Sequence, residues 1–304
     1  MKNLTTIMYH YVRPIRGSKF SGIKGLEIND FRKQLDYLSE NYKFIDPLEF
    51  IELLKLKKTF SPKTCLLTFD DGYKDHYKFF FPELKKRNIK ALFFIPSGPI
   101  KNKLVLDVNK IHLILSETKN EKSLFEYLIF YLESKGISKT SIFDFKSRFF
   151  HKGDYDSKYV IFIKNLLQHA LPENIRKEVL EHLYKKITIN INDNFYLNLK
   201  EIKKMIKYGM FIGNHGHSHL WLNKIPLKEK IDKIQKGIDF LETIGHETKN
   251  WVMSYLYGEY DLDTIKIIKN LGCICAFKAD TSKNYKVKNR LFELPRFDTN
   301  DFLF

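Results

Sequence analysis

Short apolar runs, each followed by a helical pattern, limit what this chain can fold into more than any other feature. Eight of them read as buried strands: LTTIMY (4–9), YKFI (42–45), TCLLTF (64–69), KALFFI (90–95), MFIG (210–213), WVMSY (251–255), CICAF (273–277) and LFEL (291–294). Runs this short and this continuously apolar suit strands covered on both faces, as in a parallel sheet. The stretches between them carry helix-end signals. Asn29 or Asp30 opens one helix, Asn88 ends a second and Gly209 a third, while Pro226 and Gly245 bracket a fourth. Alternation of this length points to an α/β barrel or a doubly wound sheet.

The alternation stops between residues 101 and 198. That stretch is amphipathic and helical, with segments such as VNKIHLILSE, KSLFEYLIFYLESKG and YVIFIKNLLQHAL. It reads as a helical insertion between two strands of a single 1–304 domain, its aromatic stripes belonging to a core. At 304 residues and 43% hydrophobic, the chain can build that core.

Composition narrows the function less than the pattern narrows the fold. The net charge is +16, which would suit an anionic partner. The lysines are spread along helix faces without an arginine–aromatic patch, so nucleic acid is not the expected ligand. No run spans a bilayer, and the first residues carry neither a long apolar stretch nor a small-residue cleavage site. Three cysteines, two of them (Cys273 and Cys275) in an apolar run, suggest buried thiols in a reducing compartment. The expectation is a cytoplasmic protein with at most a peripheral membrane contact.

Residues able to do chemistry gather where the strands end. His10 follows the first run and Asp70-Asp71-Gly72 the third. NHGHSH (214–219), LYGEYD (256–261) and Pro295-Arg296 follow later ones. In a parallel barrel those ends converge on one rim, where active sites form. His215 and His219 have the spacing that turns two imidazoles toward one cation, and a neighbouring carboxylate would complete a catalytic ligand set. His217, between them, should point elsewhere. Two adjacent carboxylates repel one another, and a divalent cation removes that cost. One of Asp70 and Asp71 would then ligate, leaving the other to take a proton from water.

At these residues the sequence resembles the polysaccharide deacetylase family (carbohydrate esterase family 4, the NodB homology domain). The resemblance rests on TFDDGY (68–73), GNHGHSH (213–219), SYLYGEYD (254–261) and LPR (294–296), with MYHYV (8–12) ahead of them. It implies a distorted (β/α)7-type barrel and a divalent metal, usually zinc. It assigns Asp71, His215 and His219 to the metal, and Asp70 to the base that deprotonates the attacking water. A backbone N–H near Tyr257 would help hold the oxyanion, with Tyr257 on the substrate side.

No histidine follows His246, so the late-chain acid of many members is missing. MYHYV resembles the early segment of a circularly permuted subgroup, which makes His10 the acid for the leaving amine. Arg296 matches that subgroup's arginine paired with the base. Two departures stand out: Leu256 replaces the proline before the family's tyrosine, and an arginine that usually precedes that motif is absent.

The implied reaction is removal of the N-acetyl group of an amino sugar in a polysaccharide or surface-glycan precursor. A cytoplasmic location would favour a nucleotide- or lipid-linked sugar. O-deacetylation, hydrolysis of another amide C–N bond, or an inactive carbohydrate-binding homologue are the alternatives.

Overall fold

The computed structural model describes residues 3–18, 21–153, 156–189, 191, 195–246, 248–279 and 291–301. Seven parallel strands form its centre: β1 (Leu4–Tyr9), β2 (Thr64–Asp70), β3 (Leu92–Ile95), β4 (Phe211–Asn214), β5 (Val252–Ser254), β6 (Cys275–Ala279) and β7 (Leu294–Asp298). Each pairs with its neighbour in sequence, and β7 pairs back onto β1 (Ile7 opposite Phe297), so the sheet closes. A two-residue strand, Lys43–Phe44, pairs with the start of β2. This is the (β/α)7-type barrel that the resemblance implies and one of the two folds the alternation allows.

Period-2 alternation sorts the side chains. Leu66, Leu92, Phe94, Val252, Cys275, Phe277 and Leu294 share one buried cluster within the ring. Leu67, Phe69, Phe93, Ile95, Ile212 and Met253 belong to a second, packed against the surrounding helices. Two residues beyond Leu66, Val252 and Leu294 on the same inward face come Thr68, Ser254 and Arg296, and Asp70 follows Thr68. The barrel interior is therefore apolar low down and polar at the carboxyl ends of its strands. Cys65, Cys273 and Cys275 are all buried free thiols.

Helix ends mostly follow the turn chemistry of the sequence, but the first helix, Ile28–Asn41, begins ahead of Asn29 and Asp30, with Glu27 at its N-cap making no side-chain bond. The helix Leu199–Lys207 starts with a complete capping box, Asn198 and Glu201 each bonding the other's backbone N–H, and Gly209 follows it at φ 84°. The helix Leu227–Thr243 runs between Pro226 and Gly245, the latter at φ 74°. The last strand differs from expectation. It is LPRFD, not LFEL, because Leu294 and Arg296 are the inward-facing pair, whereas residues 291–293 form the turn that precedes it.

The chain separates into two compact units, the barrel (residues 1–14, 25–104 and 192–304) and a second formed by residues 15–24 and 105–191. The second unit is helical: Asp107–Glu117, Glu121–Ser134, Lys139–Phe149, Lys158–Asn165 continuing through Leu166–Ala170, and Glu173–Tyr184. Its helices enclose their own core of Ile111, Phe125, Leu128, Leu132, Phe162 and Leu180. Asn120, Ser138 and Ser157 cap three of them through side-chain bonds to backbone N–H groups.

Candidate active site

Strand β2 ends on Asp70, and the chain then turns left-handed through Asp71 (φ 74°) and Gly72 (φ 63°). A Cβ at Gly72 would lie 2.8 Å from Ile95 Cγ2. Glycine thus answers both a positive φ and a close approach. Asp71 adopts the same unfavourable region, a strain of about 1–3 kcal/mol for a non-glycine residue. The turn separates the two carboxylates so that they share no hydrogen-bond partner.

Asp71 faces the histidines. Its Oδ2 accepts the Tyr73 hydroxyl at 2.6 Å. Its Oδ1 lies 3.3 Å from His215 Nε2 and 3.1 Å from His219 Nε2. His215 Nδ1 bonds the Ser254 backbone carbonyl at 3.0 Å, so that nitrogen carries the ring proton and Nε2 presents a lone pair. Asp71 Oδ1 and His215 Nε2 are both buried without a hydrogen-bond partner. Two lone pairs aimed at one another at 3.3 Å need a positive charge between them. One carboxylate and two imidazoles, with ligand atoms all within 4.8 Å of each other, fit a divalent cation with positions left open.

Asp70 faces an arginine. Arg296, 1% exposed, forks onto it with Nη1 to Oδ1 and Nη2 to Oδ2, both 2.7 Å. Arg296 Nη2 also donates to Ser254 Oγ at 2.7 Å, and that hydroxyl donates on to Asp70 Oδ2 at 3.3 Å. Burial raises the Asp70 carboxyl, while Arg296 and then His215 lower it further than burial lifts it. The group is held ionised. His10, just past the end of β1, brings Nε2 to 3.9 Å from Asp70 Oδ2, and its side chain is 37% exposed.

Tyr257 also has a left-handed backbone, φ 57°, and its ring sits edge-on to His219 with centroids 4.7 Å apart. Trp221 stacks on the ring of Tyr257 at 5.0 Å. Leu256, standing where proline was expected, is 1% exposed and packs in the barrel's outer core. His217 turns away, as its position between the other two suggests, and its Nδ1 meets Ser97 Oγ at 2.8 Å.

All seven residues singled out from the sequence thus lie in the barrel unit, Arg296 within β7 and the other six at or beyond strand ends. The motif reading missed Tyr73, Ser254 and Trp221 as members of the site. Tyr73 and Ser254 stand inside quoted motifs without a role assigned to them, and Ser254 could have been found from alternation, two positions after Val252; Trp221 left no signal beyond its nearness to GNHGHSH.

A family model described as polysaccharide deacetylase matches residues 57–120 and 168–276, more than half of the chain. Asp70, Asp71, His215, His219 and Tyr257 lie inside the matched segments; His10 and Arg296 lie outside them. The Bacillus subtilis protein YxkH, whose name places it among polysaccharide deacetylases, is 37% identical over 75 residues. That stretch is 24% of this chain and 27% of YxkH.

Solved structures are similar in fold. The Streptococcus pyogenes deacetylase PplD, in complex with acetate, aligns with a TM-score of 0.58 at 17% identity, over 97% of this chain and 91% of its own. IcaB from Ammonifex degensii gives 0.57 at 18%, over 98% and 94%. The BpsB deacetylase domain from Bordetella bronchiseptica gives 0.55 at 13%, over 97% and 95%.

Proposed function

Since the chain belongs to the polysaccharide deacetylase family, we propose that it is a metal-dependent hydrolase removing the N-acetyl group from an amino sugar of a glycan or glycan precursor. One observation carries the reading: adjacent buried carboxylates with divided partners, Asp71 with two imidazoles and Asp70 with a guanidinium. A structural ion-pair network would not leave Asp71 Oδ1 and His215 Nε2 without a donor.

Asp71, His215 and His219 would hold the metal, zinc by the chemistry of a two-His, one-carboxylate set. When bound, it would supply Lewis-acid polarisation of the acetyl carbonyl. Asp70, kept ionised by Arg296, takes the proton of the attacking water. His10, exposed enough to meet a substrate, donates a proton to the departing amine. Ser254 ties both halves together: its carbonyl fixes the His215 tautomer and its hydroxyl sits between Arg296 and Asp70. Tyr257 and its backbone N–H line the side where the sugar and the developing oxyanion would lie.

No helix among the described residues is long and apolar enough to cross a membrane. We assign the substrate to an acetylated sugar that is polymeric, nucleotide-linked or lipid-linked, with no nucleic-acid partner and a cytoplasmic site of action.

The test is metal content and acetate release from oligomeric and nucleotide-linked N-acetylhexosamines, with an O-acetylated sugar as the control. Wild type should bind about one equivalent of metal, and Asp71→Asn should lose it. Asp70→Asn and His10→Ala should keep the metal and lose roughly 10²–10⁴-fold in turnover. Metal-free wild type with an unaffected Asp71→Asn would sink the reading, and release from the ester alone would make the protein an O-deacetylase.

A further inference from the structure

The side chain of His76 belongs to no part of the chemistry above, yet it is fully buried next to it. It lies at the start of a π-helical segment, His76–Phe80, whose widened turn closes with Phe81 N–H on the His76 carbonyl. Such turns re-aim side chains and recur at functional sites. Around the ring stand Phe69, Tyr73, Phe80 and Phe93. Its Nε2 lies 3.3 Å from the backbone carbonyl of His10, and its Nδ1 has no partner. Burial pushes the imidazole down to about 4, so it is neutral at physiological pH with one proton. A carbonyl accepts only, so that proton is on Nε2.

The carbonyl it bonds is one the barrel leaves behind. The ladder between β1 and β2 ends at Tyr9 opposite Phe69, so His10 is the first residue beyond it. Two more contacts bind the same segment to the turn that carries Asp71. Tyr11 stacks on Tyr73 at 4.1 Å, with planes 16° apart, and Arg13 Nε meets Asp75 Oδ2 at 2.5 Å. Among the described residues, the His10 imidazole itself has the 3.9 Å approach to Asp70 as its one polar contact. With no side-chain hydrogen bond among the described residues to steer it, the ring is aimed chiefly by its backbone, and His76 bonds that backbone.

We propose that His76 is a positioning residue, whose Nε2–H bond to the His10 carbonyl sets the distance of the His10 imidazole from Asp70 and the substrate. The inference rests on His10 being the acid. Displacing a reacting group by about 1 Å costs on the order of 10²-fold, which sets the scale of the effect.

The experiment is a double-mutant cycle on the full chain loaded with zinc, following kcat, KM and metal content. His76→Phe should keep the metal and KM while lowering kcat about 10- to 100-fold. In a His10→Ala background, the same change should cost less than about twofold, because residues acting as one unit are not additive. His76→Gln, whose amide N–H can reach the position of Nε2, should recover most of kcat; the shorter His76→Asn should not. That pair carries the test should His76→Phe fail to fold. Full multiplicative loss in the cycle, or equal kcat for Gln and Asn, would overturn the positioning role alone. An active His10→Ala would instead remove the acid assignment, and this inference with it.

Discussion

Arg296 decides in which state Asp70 exists. Buried at 2% exposure, the carboxylate would be driven neutral by desolvation, and the fork from Arg296 reverses that. With the folded pKa below the unfolded one, the pair contributes stability above the unfolded pKa of about 3.9, lost as pH falls through the folded value. Arg296→Gln leaves the burial and removes the opposing charge. The acid limb of the rate profile should move to higher pH, and urea unfolding at pH 7 should show a loss of about 3–5 kcal/mol. An unchanged acid limb would show that Arg296 does not govern the ionisation of Asp70 in the reaction. At this scale the sequence was most legible where chemistry is unusual: paired aspartates and spaced histidines invite an explanation in any context. Ser254 and His76 are ordinary residue types, and their contacts come from strands and turns far apart in the chain.

The helix Leu199–Lys207 shows how an element can steady the site without joining it. Glu201 accepts the Asn198 backbone N–H at 3.0 Å, and both its oxygens meet the buried Lys74 ammonium at 2.8 and 2.7 Å. One carboxylate thus caps a helix and anchors the turn three residues after Asp71. Asn198→Ala should cost about 1 kcal/mol in urea unfolding. Metal should remain bound, because Lys74–Glu201 survives the change; loss of metal would show that the cap itself shapes the turn. The ends read correctly were those that Asn88, Gly209, Pro226 and Gly245 mark by local sterics; the Asn198 cap, made by hydrogen bonds, was not among them. The helix Lys139–Phe149 fell within the stretch read as helical, but its stripe of Ile142, Phe145 and Phe149 is thin, with Ile142 alone fully buried and Phe143 74% exposed, so its ends were not marked. Strand β7 was displaced by a few residues because its inward positions alternate leucine with arginine, a pattern that hides a strand from an apolar-run search.

In the whole molecule, the strand sequence around the ring repeats the order along the chain, so alternation narrowed the fold to a barrel or a doubly wound sheet and the family motifs pointed to the barrel. The charge of +16 gave no comparable guidance, because lysines on many helix faces define no surface. Closure, however, joins Ile7 to Phe297. A nascent chain emerges with β1 paired on one side and bare on the other, and the bare edge waits until the strand carrying Phe297 has been synthesised. Long-range pairing of this kind slows folding into the millisecond-to-second range and exposes unpaired edges meanwhile. Refolding should show its slowest phase in a probe spanning residues 7 and 297, and a chain cut before Leu294 should aggregate. If such a chain stayed soluble and monomeric, the open edge would be protected in some other way. The same strand brings Arg296, so the barrel acquires its last wall and the counter-charge of Asp70 in one event: until the protein has finished folding, it cannot begin to act.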